Sequence, residues 1–197
     1  MDVTLLNGLV WMNYKLFVLL GLIIPLVLSI WAIAAKIPSI QRLLLIFWRV
    51  ASLLAISIYL FIPVWQLGYL TWFLGHILVA ISLWFWVDIN DEIRDLPKSK
   101  LKLTVTAWRW ATTVFSSLSA IAFIPFLRCT FIADVGNDSF CRVWLSAPWQ
   151  YKQWFHPSAT TGFVGFLGIT GLIAYGIYFL YFLTFRLIKQ GRIALEQ

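Results

Sequence analysis

Apolar positions fall in five long runs broken by short polar stretches, near Leu16–Ala35, Leu43–Pro63, Leu70–Val87, Thr104–Leu127 and Thr161–Phe185. A helix needs about 20 such residues to cross the roughly 30 Å hydrocarbon core of a bilayer. Lipid offers no partner to a free amide or carbonyl, so each crossing segment must close its own backbone hydrogen bonds. The pattern predicts an all-α polytopic membrane protein: one integral membrane domain over residues 1–197, a five-helix transmembrane bundle, with its largest outer loop at residues 128–160. Composition agrees, with 61% hydrophobic residues and 12% charged, roughly half the charge of an average soluble domain.

Charge orients the bundle. With five spans, the N-terminus, the second loop and the fourth loop share one face and hold Lys15, Arg128, Arg142 and Lys152. The opposite face holds Lys36, Arg42, Arg49, Arg94, Lys98, Lys100, Lys102, Arg109, Arg186, Lys189 and Arg192. Basic loops stay cytoplasmic, so the N-terminus is expected outside and the C-terminus inside. The first span is expected to be retained, because cleavage after Ala34 would carry the basic excess outward. Cys129 and Cys141 then lie together in the outer loop, where an oxidising compartment permits a disulfide. Closing so short a loop stabilises by about 2–3 kcal/mol in the chain-entropy account.

An internal echo runs through the spans. Trp48-Arg49-Val50-Ala51 and Phe61-Ile62-Pro63 bound the second, and Trp108-Arg109-Trp110-Ala111 and Phe123-Ile124-Pro125 bound the fourth. Phe73-Leu74-Gly75 and Phe166-Leu167-Gly168 follow at the outer ends of the third and fifth. Read as a duplication, these strings make two parallel helical hairpins plus one N-terminal helix. Read as chance matches, they carry no architecture. Arg49 and Arg109 lie one to two turns inside these spans, either snorkelling to the surface or holding a lipid headgroup or a partner's carboxylate. Pro25 is expected to kink the first span. In the third loop Asp88 or Asn90 is expected to cap a short helix that Pro97 ends.

Other chemistry is sparse. His76, in the outer half of the third span, reads either as an interhelical hydrogen-bonding residue or as an axial ligand for haem or chlorophyll. Gly162, Gly165, Gly168 and Gly171 form a groove on the fifth span that suits a neighbouring helix or a flat carotenoid or chlorin. The outer loop is rich in large rings, Trp144, Trp149, Tyr151, Trp154 and Phe155, which suit the membrane interface or a protein partner, and Pro148 is expected to open a short helix within it. The carboxylates of the third loop lack the spacing of a calcium loop, so no metal is expected. No acid falls inside any span, which disfavours proton-coupled transport. No nucleophile, zinc-protease or phosphate-loop signature occurs, so an enzyme is the least favoured class.

The strings Trp48-Arg49-Val50-Ala51-Ser52-Leu53-Leu54, Ser82-Leu83-Trp84-Phe85-Trp86-Val87-Asp88-Ile89-Asn90, Cys141-Arg142-Val143-Trp144-Leu145 and Gly162-Phe163-Val164-Gly165-Phe166-Leu167-Gly168 resemble an uncharacterised family of cyanobacterial integral membrane proteins, a domain of unknown function. The resemblance implies a thylakoid or plasma membrane shared with photosynthetic complexes, and it brings no catalytic residues. The leading expectation is a non-enzymatic accessory or assembly protein of such a complex. Its partners would be the lipid bilayer and another membrane protein complex, not nucleic acid. The alternatives are a pigment-, haem- or lipid-binding module and, after it, a small transporter.

Overall fold

The computed structural model describes residues 3–188 and 191–194. Lys189 and the Arg186 side chain, counted above on the basic face, lie outside the described residues. α1 (Val3–Phe17) passes through a π-helical turn (Val18–Ile23) into α2 (Ile24–Ala34). α3 (Pro38–Phe61) and α4 (Leu67–Phe85) follow, then the short amphipathic α5 (Val87–Asp95). α6 (Lys100–Phe123) ends in a 3₁₀ segment (Ile124–Thr130). α7 (Ser146–Phe155) lies in the loop over residues 128–160, whose end of the bundle is called outer below as a label only, and α8 (Thr161–Tyr181) runs into a second π turn (Phe182–Leu187).

Five helical stretches are long and apolar enough to cross a membrane: Thr4–Ala34, Pro38–Phe61, Leu67–Phe85, Lys100–Thr130 and Thr161–Phe185. The chain is an all-α integral membrane bundle. The first stretch starts twelve residues before the apolar run that announced it, at Thr4 rather than Leu16. At 1.5 Å per residue its 31 residues reach about 46 Å, more than the hydrocarbon requires. The surplus packs against the outer loop. Leu6, Val10, Tyr14 and Phe17 recur at helical spacing and are buried, Tyr14 Oη donates to the Trp144 carbonyl at 2.9 Å, and Asn13 Nδ2 donates to Ser119 Oγ at 2.7 Å.

α3 is the hub, packed against α2, α4, α5, α7 and α8. Its contact with α4 is closest where α4 carries glycine. A Cβ at Gly68 would stand 2.8 Å from Phe61 Cδ1, and one at Gly75 would stand 2.6 Å from Leu54 Cδ2. α6 packs on α4 while α8 packs on α3. The fourth and fifth spans therefore form no packed hairpin like that of α3 and α4, and the sequence echo does not translate into two equivalent units. The reason is steric: the fifth span's glycines fit the outer half of α3, not α6.

Pro25 acts through a wide turn rather than a sharp break. The Ile24 amide donates to the Leu19 carbonyl, five residues back. The next donor in that π register would be Pro25, which has no N–H. The Leu20 carbonyl is thus left without a backbone donor, and Trp108 Nε1 reaches across from α6 to supply one at 2.8 Å. The indole also meets Phe47 edge to face at 4.9 Å between centroids, joining α2, α3 and α6 at one point.

Trp108→Phe keeps most of the ring packing and removes the donor. An orphaned carbonyl in a dry core costs about 1–3 kcal/mol, so the variant should unfold at lower temperature in detergent than wild type. Equal melting temperatures would show that the Leu20 carbonyl does not depend on Trp108.

Candidate ligand groove and buried polar sites

The glycines along α8 set where it meets α3. A Cβ at Gly165, Gly168 or Gly171 would stand 3.0–3.3 Å from Pro63 Cγ, Tyr59 and Leu60 atoms, and Ile56 Cγ1 respectively. α8 therefore lies close on the outer half of α3. These glycines serve helix packing, and the α3 side chains occupy the groove that a flat pigment would need. Gly162 has no atom within 4 Å of its Cβ position and takes no part. Beyond Gly171, Tyr175, Tyr178, Phe179 and Phe182 line a space between α8 and its neighbours.

The result is a groove of about 460 Å³ between α3, α4 and α8, at the end of the bundle that carries α5. Its walls are mainly apolar, and Leu45, Ile81 and Tyr178 are 44% or more exposed along its open side. Two cations of α3 lie along it, Arg42 and Arg49. Arg42 pairs with Glu92 of α5. Arg49 Nη1 meets Tyr178 Oη at 3.2 Å, with the guanidinium 6.0 Å from that ring.

α3 begins at Pro38, so Arg49 lies three turns into the helix. Gly75 touches Leu54 across the antiparallel pair, which sets Arg49 level with residue 80, about 7 Å short of the end of α4.

Arg109, its partner in the sequence echo, is elsewhere and differently used. It is 4% exposed, lies over the Trp84 ring at 4.1 Å, and donates to the Leu83 carbonyl at 2.5 Å and to Asn90 Oδ1. These contacts fasten α6 to the end of α4 and the start of α5. Walled in this way, Arg109 has no face for a lipid headgroup or a partner, and that expectation fails for it. The third-loop caps also differ. Asn90 Nδ2 donates to the Trp84 carbonyl at 2.9 Å, and the Asp88 carboxylate accepts from the Ala194 amide at 2.9–3.0 Å, so both side chains bind other segments instead of capping α5. Pro97 does end the helix, with Leu96 extended before it at ψ 144°.

His76 is fully buried, between Trp72 at 5.1 Å and Phe115 at 5.6 Å between ring centroids. Among the described residues neither ring nitrogen has a hydrogen-bond partner, nor has Thr112 Oγ1 nearby. The cavity they share measures about 10 Å³, near the volume one water requires. A haem or chlorin cannot enter it, so the axial-ligand reading of His76 is set aside on space alone.

On the outer side Cys129 and Cys141 form a disulfide and are both buried. The bond draws the outer loop back over the bundle, where Tyr69 Oη donates to the Cys141 carbonyl at 2.9 Å. Trp144 is 5% exposed, packed on Phe123 at 4.7 Å and Tyr14 at 5.5 Å, and offers no docking surface. The unforeseen outer extension of α1 is what covers it. Trp149 and Trp154 remain exposed on α7, at 45% and 70%. Tyr59 Oη of α3 joins Tyr151 Oη at 3.2 Å and His156 Nε2 at 2.9 Å, holding α7 to the bundle.

The family profile described as "Protein of unknown function (DUF3177)" matches residues 7–195. No curated protein and no solved structure matches.

Asn90→Leu tests the tie at α5. A hydrogen bond to a charged group contributes about 1.5–3 kcal/mol, and losing it leaves Arg109 partly unpaired. The melting temperature should fall, more than for an exposed third-loop change such as Asp95→Asn. Equal effects of the two changes would contradict the tie.

Proposed function

The chain belongs to the DUF3177 family, and from that premise we propose that it is a non-enzymatic accessory protein of a membrane complex, working through a lipid held between α3, α4 and α8. The observation that carries this reading is the groove of about 460 Å³. Its volume is in the range of small-molecule sites, roughly 300–1,000 Å³. Its lining by Leu45, Leu78, Ile81 and Phe179 suits acyl methylenes, and its open side lets a lipid enter from the bilayer without crossing water.

The reading takes the groove end as cytoplasmic, on the eleven basic residues assigned to that face against four on the other. The disulfide and α7 then face a periplasm or lumen. It takes the membrane as a cyanobacterial thylakoid or plasma membrane, on the sequence resemblance alone. A role beside a larger complex is favoured by α7, whose Trp149, Trp154 and Phe155 are all exposed at the outer surface. A pigment-carrying role has less support, since the groove lining includes no imidazole.

Native mass spectrometry of the protein extracted in mild detergent tests the reading. Wild type should retain about one lipid through detergent exchange. Ser82→Trp, which fills the groove from α4, should lose most of it while melting normally. A wild-type protein stripped bare at the first exchange, or equal retention by the variant, would overturn the proposal.

A further inference from the structure

Two cations of α3 border the groove, and the described residues pair a carboxylate with only one of them, Arg42. Arg42 has Glu92, Arg94 has Asp91 at 2.9 Å, and Arg109 has a carbonyl, an amide oxygen and an indole face. Lys102 Nζ donates to the Arg94 and Leu96 carbonyls at 2.6 Å. Arg49 donates one bond to a neutral phenol, and among the described residues no carboxylate pairs with it. A guanidinium carries five N–H donors, so the described residues leave most of its capacity unused, and the side chain is exposed to whatever fills the groove.

The surroundings say what would complete it. Arg42 and Arg49 are two turns apart on the groove face of α3, so both cations border one space. From Arg42 to Val50 the groove extends about 12 Å along the helix axis. That covers the headgroup layer, about 5–7 Å per leaflet, and the first acyl carbons below it. The Tyr178 hydroxyl beside Arg49 can turn its proton toward an anion. The open side past Leu45 and Ile81 leads to the bilayer interior.

We infer that the groove selects an acyl lipid with a single anionic headgroup, its charged oxygens held by Arg49 with Arg42 and Tyr178, its chains leaving toward the bilayer. A guanidinium suits this task because its planar fork binds two oxygens of one phosphate or sulfonate at once. The inference rests on the groove reading above and adds the charge of the ligand to it.

Full-length protein, delipidated in detergent and titrated separately with phosphatidylglycerol and phosphatidylcholine of matched chains, gives the test by native mass spectrometry. Wild type should retain phosphatidylglycerol roughly fivefold better, the size of effect one basic residue gives with anionic lipid. Arg49→Gln should bind both lipids equally, Arg49→Lys should keep part of the preference, and Lys100→Gln, a change on the exposed basic surface, should keep all of it. Equal retention of the two lipids by wild type overturns the charge assignment and leaves the groove standing. Retention of neither overturns the groove reading itself. A loss of preference in Lys100→Gln as large as in Arg49→Gln assigns the effect to the whole basic face and overturns the role of Arg49.

Discussion

Hydrocarbon leaves a polar atom nowhere to turn, and much of the organisation of this bundle follows from polar groups that one helix satisfies for another. The proline of the first span strands the Leu20 carbonyl, and the indole of Trp108 answers from another helix. Arg109 is answered by the Leu83 carbonyl and Asn90, with Trp84 beneath its charge. Each answer crosses between helices. Satisfying the polar atoms therefore also fixes the relative positions of α2, α4, α5 and α6, where apolar packing alone would permit sliding. Apolar side chains gain little by leaving lipid for one another, so close packing and cross-helix hydrogen bonds set the geometry.

Two devices of different kind control the ends. At the outer end the disulfide, the surplus turns of α1 and the aromatic cluster around Trp72 and Trp144 build a covered cap. At the other end the bundle opens. The glycines of α8 stop at Gly171 on the side facing α3, rings follow, and the helix leans away to leave the groove. Arg49 lies in that opening and, among the described residues, its side chain donates only to the Tyr178 phenol, while Arg42 beside it has Glu92. A guanidinium with spare donors on the wall of an apolar groove is what the proposed lipid anion would meet.

The span count, the all-α class and the disulfide pair were legible because each rests on a strong local signal: long apolar runs, and two cysteines in one loop. The outer extension of α1 was hidden because Asn7, Asn13 and Lys15 break its apolar run while Leu6, Val10 and Tyr14 keep helical spacing beneath them. Missing that extension made Trp144 look exposed. The echo of Trp48-Arg49 with Trp108-Arg109 suggested equal roles, yet one arginine faces a groove and the other a packed helix end. Which it would be depends on neighbours far along the chain, Tyr178 in one case and Asn90 in the other. The π turn was unreadable for a related reason: the cue in the sequence was Pro25, but the donor that makes the turn tolerable is more than eighty residues away.

The central claim is that a lipid anion completes Arg49 within the membrane. An experimental structure of the full chain in nanodiscs containing phosphatidylglycerol tests it most directly. The account predicts headgroup density in the groove, with anionic oxygens within about 3 Å of the Arg49 guanidinium. A groove filled by protein side chains, or Arg49 turned out of it to a carboxylate or to bulk water, would contradict the claim.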